Sequence, residues 1–403
     1  MNILIINAHW FNRGDEAAIR SMLIELKKFY PDANMRIQFA LTQMRSEEDN
    51  VEGAKVIDCF PRNREVINSM IFVLSKGLIC YGKNLKKYVE NVKWADIVLH
   101  APGGPSLSDV YVKDEPKYLS RLAIAKVLKK PYIFYAPSMG PFHNKLMNVL
   151  RKYVLNSAKE IVLREAISQK YLNELSLKKK SLVTLDSAFQ AKIDEDYYER
   201  IFNEDSELVE FFNTDKKIIG ITITPLSGNP AYQADKSLKN RILDSFQHLV
   251  LKLEEDGYKI IFIPQLFGKS NDYDYMKKCA VGNNSYVMKP SYDCFFQQYI
   301  IGKLYMVFGM RYHSNIFSAK MGTPFISISY EQKMKGFMEI AELNDLCMDI
   351  KDLSFEKLIE KYQLLVENYD FYKARLEAKH SFLEEKSSKT TNIVVNALKA
   401  GNN

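Results

Sequence analysis

The first forty residues alternate between apolar and polar segments in the way that a strand, a helix and a second strand do. The continuous apolar run at 3–6 predicts a buried strand. A polar loop, NRGDEA (12–17), follows, and residues 35–39 predict the next strand. Between them, apolar side chains recur on one face at helical spacing: Ala18, Met22, Leu23, Leu26 and Phe29. This pattern predicts a βαβ unit at the start of the chain.

Further predicted strands in the first half end in loops rich in small or polar residues. Residues 96–100 run into APGGPS (101–106), and residues 132–135 run into APSMGPF (136–142). Because APGGPS holds two glycines and two prolines, we interpret it as a tight, rigid turn that exposes backbone N–H groups. With the loop around Gly14, these loops follow three successive strands. Parallel strands end at the same edge of a sheet, so the loops predict a cleft at that edge.

The second half repeats the alternation after a break at 192–215, which is acidic and polar and has no strand pattern. Strands are then predicted over 218–223, 258–263, 304–308 and 325–329. The fold class is therefore predicted to be α/β, with two Rossmann-like domains over residues 1–190 and 191–403. Two such domains facing each other across a cleft form a GT-B-like architecture. Its last helices are candidates to cross back to the first domain.

Composition sets outer limits on the function. The chain has 403 residues, of which 47% are hydrophobic and 26% are charged, and these values are typical of globular proteins. The net charge of +7 comes from scattered residues. It suits an anionic substrate or membrane surface and predicts no nucleic-acid partner. The sequence contains neither a metal-binding motif nor a GxSxG elbow, so we expect no metal and no other resident cofactor.

The cysteines and apolar segments favour a cytoplasmic protein. The first residues have the pattern of a strand rather than of a signal peptide. The longest apolar segment, residues 70–80, is interrupted by Ser75 and Lys76. Two interpretations of this segment stay open: a half-buried core helix, or a helix in peripheral contact with the inner face of the membrane. The five cysteines are widely spaced, which favours reduced thiols; they are Cys59, Cys80, Cys279, Cys294 and Cys347.

Residues suited to anion chemistry follow the predicted strand at 304–308. Arg311 offers a fixed fork of donors for a phosphate or carboxylate, and His313 can hold or transfer a proton near neutral pH. A helix is predicted to begin beside them, and a helix N-terminus favours bound anions. This strand end is therefore predicted to be an anion site. Because Arg311 lies at a strand end rather than in a core, its replacement by alanine is expected to leave the fold intact.

Around these residues the chain resembles the polysaccharide pyruvyl transferase family. The shared pattern is Arg-x-His, Gly-x-Pro, Tyr-x-x-Lys and Gly-Phe, formed here by Arg311, His313, Gly322, Pro324, Tyr330, Lys333, Gly336 and Phe337. In the first half the resemblance includes the Asn-x-Gly-Asp-Glu loop at 12–16, the Gly-Gly pair at 103–104 and the Arg-Glu pair at 164–165. It therefore covers most of the chain, and it implies the same GT-B-like fold.

The resemblance implies an enzyme that transfers pyruvate from phosphoenolpyruvate onto a sugar as a cyclic ketal. Such transferases act in the synthesis of bacterial surface polysaccharides such as capsule or exopolysaccharide. Phosphoenolpyruvate is then a donor substrate rather than a cofactor, and the acceptor is a sugar or a lipid-linked oligosaccharide. The first domain is expected on the acceptor side and the second on the donor side.

The chemistry implied by the resemblance assigns roles to particular residues. His313 is the expected acid, and Asp15 or Glu16 is the expected base for the sugar hydroxyl. Arg311 and Arg164 are expected to hold the phosphate and carboxylate of the donor. The other predicted substrate-binding residues are Gly14, Gly103, Gly104, Ser138, Gly140, Tyr330 and Lys333.

The sequence leaves two other functions open. A nucleotide-sugar glycosyltransferase of the same fold would need a ribose-binding carboxylate after the Arg-x-His helix, and Glu331 lies at a suitable position. A non-catalytic carbohydrate-binding relative would keep the fold and lose the chemistry. The presence of Arg311, His313 and the acidic pair at 15–16 argues against that alternative.

Overall fold

The computed structural model describes residues 1–40, 49–57, 63–111, 113–227, 229–268 and 271–399. The chain divides into two compact units. The first comprises Met1–Trp10, Asp15–Ala191 and Glu384–Asn403, and the second comprises Phe11–Gly14 and Lys192–Leu383. Neither unit is one continuous stretch of chain. Among the described residues, Cys80, Cys279, Cys294 and Cys347 form no disulfide, and Cys59 lies outside those residues.

The first unit alternates strands with helices, as its hydrophobic pattern predicts. Its strands are β1 (Asn2–Ala8), β2 (Asn34–Phe39), β3 (Asn50–Val51), β4 (Ala54–Ile57), β5 (Ile97–His100), β6 (Gly103–Leu107), β7 (Tyr132–Tyr135), β8 (Pro137–Met139), β9 (Glu160–Leu163) and β10 (Leu182–Val183). Its helices are α1 (Arg13–Phe29, whose first two residues group with the second unit), α2 (Asn63–Leu74), α3 (Lys83–Trp94), α4 (Glu115–Val127), α5 (Lys145–Leu155) and α6 (Ala166–Glu174).

The main sheet of the first unit has the strand order β10-β9-β7-β5-β1-β2-β4-β3. Neighbouring strands are parallel except for β3 and β4. Strand β1 lies at its centre, because Ile3 pairs with Met35 of β2 on one side and with Ile97 of β5 on the other. The strands β2 to β4 lie on one side of β1, and the later strands β5, β7, β9 and β10 lie on its other side. The crevice between the ends of β1 and β5 is therefore the place where such sheets bind ligands.

The APGGPS segment is not the tight turn that its glycines and prolines predict. It contributes β6, which pairs in parallel with β8, so that Gly103 lies opposite Pro137 and Leu107 opposite Met139. The two segments leave the neighbouring parallel strands β5 and β7 at the same edge, and they therefore run side by side. Their backbones exchange hydrogen bonds, among them Gly140 N–H to the Leu107 carbonyl at 2.8 Å.

The second unit has the same alternating organisation. Its strands are β11 (Ile218–Thr222), β12 (Lys259–Phe262), β13 (Ser285–Val287), β14 (Met306–Gly309), β15 (Phe325–Ser329) and β16 (Cys347–Asp349). Its helices are α7 (Glu195–Glu204), α8 (Ser206–Phe212), α9 (Lys236–Glu255), α10 (Tyr273–Cys279), α11 (Cys294–Gly302), α12 (Tyr312–Lys320), α13 (Gln332–Ile340), α14 (Phe355–Glu367) and the beginning of α15 (Tyr369–Lys399).

The sheet of the second unit has the order β13-β12-β11-β14-β15-β16, and all of its pairs are parallel. This is the strand order of a Rossmann fold, with its ligand-binding crevice between the ends of β11 and β14. The predicted α/β class with two Rossmann-like units is confirmed. None of the described helices is both long enough and apolar enough to cross a membrane.

The last part of α15 completes the interior of the first unit. Ser387, Thr390 and Thr391 are buried there, although all three are polar. Thr390 shares a 2.6 Å hydrogen bond with Thr184, and Thr391 shares one of 2.5 Å with the Tyr135 hydroxyl. These pairings satisfy side chains that would otherwise be buried without partners, and they attach the end of the chain to the ends of β7 and β10.

Candidate functional site

Arg311 lies at the switch point of the second unit. It follows β14 and occupies the position before the first residue of α12. Its Nη2 donates to Thr224 Oγ1 at 2.8 Å, and Thr224 lies two residues beyond the end of β11. The guanidinium therefore spans the gap between the two strands at which the direction of the sheet reverses. This is where an open parallel sheet of this order binds its ligand.

A buried carboxylate fixes the orientation of Arg311. Asp272 accepts from Arg311 Nε at 3.0 Å and from Nη2 at 2.5 Å, and its side chain is fully buried. Asp272 also accepts the backbone N–H groups of Gln265 (3.2 Å) and Leu266 (2.9 Å). Burial lowers the pKa of Arg311, but Asp272 and then Tyr330 outweigh it and hold the pKa above its ordinary value. The structure argues against the expectation that alanine could replace Arg311 without affecting the fold, because the loss of this arginine would leave a buried charge unpaired.

Tyr330 and Lys333 lie beyond the end of β15, in the same unit. Burial and then the charge of Glu331 raise the pKa of the Tyr330 phenol, and the charge of Arg311 partly offsets this rise. Lys333 Nζ lies 2.5 Å from Glu331 Oε2 and 5.4 Å from the centre of the Tyr312 ring. The charge of Lys333 is thus locally balanced, whereas Tyr330 belongs directly to the Arg311 cluster.

His313 lies in the first turn of α12 and is 5% exposed. A β-carbon on Gly14 would lie 1.8 Å from His313 Nδ1 and 1.9 Å from its Cγ, well below any real contact distance. Only glycine therefore allows the loop after β1 to pass this close to the imidazole. The structure brings together Gly14 and His313, two predicted site residues that are far apart in the sequence.

Backbone hydrogen bonds hold the Gly14 loop against the loop that follows β12. Arg13 N–H donates to the Gln265 carbonyl at 2.9 Å, and Phe267 N–H donates to the Phe11 carbonyl at 3.0 Å. The Gly14 N–H itself is bound by Asn12 Oδ1 at 2.8 Å. The position of the loop beside His313 is thus set by main-chain geometry rather than by a mobile side chain.

Gln265 is a polar residue of this region that sequence reasoning missed. It is fully buried, and within the described ranges neither its amide nitrogen nor its amide oxygen has a hydrogen-bond partner. A buried unsatisfied amide costs about 1–3 kcal/mol, so a ligand with polar groups would find a favourable contact here. The available signal was its position two residues after the predicted strand at 258–263.

The first unit has its own cavity at its switch point, of about 280 Å³. It lies between the segments that follow β1 and β5, and its lining residues are His9, Asp15, Gly104, Pro105, Ser106, Asp114 and Tyr118. The backbone at Gly103 lies close to the Asp15 side chain. The φ of Gly103 is 133°, and a β-carbon added to it would lie 3.0 Å from Asp15 Oδ1. Asp15, Gly103 and Gly104 are thus brought together, as the loop pattern predicts.

Of the two carboxylates predicted as the base, Asp15 lines the cavity. Glu16 is 3% exposed, and its Oε1 lies 3.6 Å from Arg20 Nη1 one helical turn later. Adjacent residues in the first turn of α1 point in different directions, because a helix turns by about 100° per residue. Asp15 is therefore the one of the pair with access to a ligand in this cavity.

His9 and Asp114 contribute to the same cavity and were not predicted. Burial lowers the pKa of the His9 imidazole, and this lowering is partly offset by Asp15, so the ring is neutral near pH 7. Its edge meets the Tyr118 ring, with 5.9 Å between ring centres. The position of His9, three residues after the predicted strand at 3–6, was a signal for it, whereas nothing in the sequence marked Asp114.

Arg164 and Ser138 also lie together, in a buried polar cluster of the first unit. Arg164 is 1% exposed, and its Nε donates to Ser138 Oγ at 2.8 Å. The same guanidinium contacts two carboxylates, Asp186 at 2.7 Å and Glu165 at 3.1 Å. The arrangement can hold a polar ligand only where that ligand competes with these carboxylates.

Gly140, the last of the predicted glycines, has a packing requirement of its own. Its φ is +84°, and an added β-carbon would lie 2.5 Å from the Tyr171 ring. Both its conformation and its surroundings therefore exclude a side chain. A role of its backbone in ligand binding stays a prediction.

Sequence comparison matches the chain to one family over most of its length. The family described as polysaccharide pyruvyl transferase matches residues 12–332. A relative from Erwinia amylovora, the amylovoran biosynthesis protein AmsJ, is 22% identical, with 92% of this chain and 93% of that protein covered.

Solved structures with the same fold are sugar-nucleotide epimerases and glycosyltransferases of the GT-B type. A glycosyltransferase from Rickettsia africae has a TM-score of 0.60 at 13% identity, covering 99% of this chain and 98% of its own. The UDP-GlcNAc 2-epimerase of Neisseria meningitidis, solved with UDP-GlcNAc, has a TM-score of 0.56 at 12% identity, covering 99% and 100%. At these identities the likeness establishes a GT-B-like fold and no more.

Proposed function

The chain belongs to the polysaccharide pyruvyl transferase family, and from that premise we propose that it transfers pyruvate from phosphoenolpyruvate onto a sugar as a cyclic ketal. We further propose that the product enters a bacterial surface polysaccharide, in keeping with the relative named for amylovoran biosynthesis. The observation that supports the chemistry most directly is the pair Arg311 and His313 at the switch point of the second unit, with Gly14 leaving room for the imidazole.

The proposed reaction makes two C–O bonds at the central carbon of the donor and breaks one. The methylene carbon gains a proton and becomes a methyl group, and a sugar hydroxyl adds to the resulting oxocarbenium-like centre. The bond to phosphate then breaks, and a second hydroxyl closes the ketal. The two hydroxyl protons balance the proton gained by carbon and the one that leaves with phosphate. The enzyme must therefore supply one acid, one base and a site for two anionic groups.

We assign the donor to the second unit. A phosphate or carboxylate at the first turn of α12 would meet the positive end of the helix dipole. Arg311, held in orientation by Asp272, would lie beside it, and the buried amide of Gln265 could gain the hydrogen bonds it lacks in the described structure. His313, in the same first turn, would deliver the proton to the methylene carbon or to the departing phosphate.

We assign the sugar to the cavity of the first unit. Carboxylates and aromatic faces are the groups with which proteins bind sugar hydroxyls and ring C–H surfaces, and Asp15, Asp114 and Tyr118 supply them here. Asp15 would accept the hydroxyl proton. The neutral imidazole of His9 is a second group in the cavity that is able to do so.

The alternative of a nucleotide-sugar glycosyltransferase gains no support from Glu331. Its carboxylate lies 2.5 Å from Lys333 Nζ and accepts from Asn229 Nδ2 at 3.2 Å. A carboxylate engaged in this way would have to give up both partners to bind a ribose. The arrangement therefore favours the pyruvyl transfer proposed here.

The proposal is tested by incubating the chain with phosphoenolpyruvate and a panel of galactosides and N-acetylhexosamines. We expect phosphate release that depends on one of the sugars, and a gain in sugar mass equal to pyruvate less water. Consumption of a nucleotide sugar, with phosphoenolpyruvate left intact, would instead identify a glycosyltransferase.

The role of His313 is tested separately by its replacement with glutamine. If His313 supplies a proton, turnover at saturating donor should fall by about 10²–10⁴-fold with a much smaller change in donor affinity. The basic limb of the pH–rate profile should change as well. The exposed His248, replaced in the same way, is the matched control and should behave like the parent. An unchanged basic limb in His313→Gln would assign the proton to another group.

A further inference from the structure

Helix α2 carries an apolar stripe on its outer side. Its members recur at positions i, i+3, i+4 and i+7, the spacing that normally turns a helix face toward a protein core. Here the inward residues are Ser69 and Phe72, which are buried, while the stripe faces solvent. Leu74 is 80% exposed, and Leu78 just beyond the helix is 89% exposed. We call the whole set the α2 surface: Ile67, Met70, Ile71, Leu74, Leu78, Ile79 and Tyr81.

The two parts of the α2 surface lie side by side. The segment 75–82 turns back along the helix, because Asn84 at the start of α3 donates to Glu65 in the first turn of α2 at 2.5 Å. A β-carbon on Gly82 would likewise lie 3.2 Å from Asn68 Nδ2. The exposed side chains of the segment therefore continue the stripe of the helix, and they form one patch instead of scattered apolar residues.

Lysines predominate along the segment that forms the α2 surface, and two glutamates, Glu65 and Glu90, lie at its border. From position 67 to position 87 the chain contains no acidic residue, and it contains four lysines, all exposed: Lys76, Lys83, Lys86 and Lys87. Apolar side chains surrounded by lysines match the interface of a bilayer that contains anionic lipids, where the chains enter the acyl boundary and the ammonium groups meet the headgroups. Tyr81 adds the aromatic type that favours this depth.

A second exposed apolar stripe lies near the C-terminal end of α4, close to the α2 surface. On α5, Leu146 and Val149 are exposed, and Tyr153 continues them at helical spacing. Lys126, near the end of α4, lies over the Tyr153 ring at 3.2 Å, while a β-carbon on Gly77 would contact the adjacent Val127 at 3.4 Å. The α2 surface and the α5 stripe therefore both lie next to the C-terminal end of α4. Together they enlarge the apolar area on this part of the first unit.

We propose that the α2 surface binds the first unit to a membrane containing anionic phospholipids. This goes beyond the proposed function and does not depend on it, since the surface shares no residue with either candidate substrate site. Lipid fits better than a second copy of the chain, because two copies facing each other through this surface would bring their four lysines together, and the segment 67–87 that carries them has no acidic residue.

The test uses the full chain and flotation with vesicles of phosphatidylcholine alone or mixed with phosphatidylglycerol. We expect binding to the mixed vesicles, little binding to the neutral ones, and loss of binding as salt rises. The double variant Leu74→Ser/Leu78→Ser should bind about tenfold more weakly or worse. Leu251→Ser, an exposed leucine of the second unit, is the matched control and should bind like the parent.

Three results would overturn the proposal. One is the absence of binding to the anionic vesicles, and another is equal binding by the parent and the double variant. The third is a concentration-dependent dimer that the double variant abolishes, since that would assign the surface to a second copy. Circular dichroism confirms that each variant is folded, which is expected because both replaced leucines lie in solvent. None of these readouts involves pyruvyl transfer, so failure here leaves the proposed function unaffected.

Discussion

Replacing Arg311 with alanine should destabilise the second unit before any question of ligand binding arises. The guanidinium supplies Asp272 with two hydrogen bonds, at 3.0 and 2.5 Å. Without them the carboxylate keeps, among the described residues, the backbone N–H groups of Gln265 and Leu266, in a fully buried position. Breaking a buried pair by removing one partner costs about 3–5 kcal/mol. For a unit of this size that corresponds to a fall in melting temperature of about 6–20 °C.

The measurement is a double-mutant cycle read by thermal and denaturant unfolding. Arg311→Ala, Asp272→Ala and the double variant are compared with the parent. Because the double variant leaves no unpaired charge, its loss of stability should be smaller than the sum of the single losses by about 2 kcal/mol or more. The control is Arg241→Ala, an exposed arginine of the same unit, for which we expect a change within about 0.5 kcal/mol.

Additive losses in this cycle would refute the reasoning, as would an Arg311→Ala variant with the stability of the parent. Either result would mean that the buried carboxylate is not held by this arginine. The unfolding measurements also show at which temperatures the Arg311→Ala variant is folded. A loss of donor binding by this variant can be interpreted only at those temperatures. Arg311→Lys keeps the charge without the fork and should recover part of the stability.

Two further predictions concern the Gly14 loop and pH. Gly14→Ala should lower turnover by at least about tenfold, because its β-carbon would displace His313. Gly336 has open space around it, so Gly336→Ala should leave turnover unchanged. Equal rates for the two variants would show that the loop is not constrained by the imidazole. Burial lowers the pKa of His100 to about 4, while the unfolded chain takes up this proton near pH 6.5. The contribution of His100 to the free energy of unfolding should therefore be complete above pH 6.5 and should fall by up to about 3 kcal/mol as the pH drops toward 4. Denaturant unfolding of His100→Gln should show a weaker dependence of stability on pH over this range. An unchanged dependence would assign the effect to another group.

The strands were predictable because buried parallel strands are continuous apolar runs, a signal carried entirely by local sequence. Residues 3–6, 218–223 and 304–308 each fall on a strand at the centre of its sheet. The edge at which a loop must lie then follows from strand direction alone. This explains why Asp15 and Gly104 could be expected to lie near one another, and why Arg311 could be expected at a ligand-binding edge.

What escaped prediction depends on contacts between distant positions. The pairing of β6 with β8 arises from two loops that meet only in the folded sheet. Asp272 lies 39 residues before Arg311 and stands at a helix start, where an acidic residue is ordinary. Gly14 is required because the imidazole of His313, nearly three hundred positions later in the chain, lies against it. The sequence of the loop could not predict this contact, because a glycine in a loop can have many roles. Local patterns therefore indicated where a candidate site lies, and tertiary contacts determined which of its groups already have partners.

The attachment of the last helix has a consequence for how the protein is made on the ribosome. The hydroxyl partners of Thr184 and Tyr135 come from Thr390 and Thr391, so the first unit cannot complete its interior when its own strands emerge. The whole of residues 192–383 must be translated in between, which takes about 10–40 seconds at ordinary elongation rates. During that interval the nascent first unit has a gap in its interior, a state in which chains are prone to aggregate. The part of the protein that is synthesised first is thus the last to be finished.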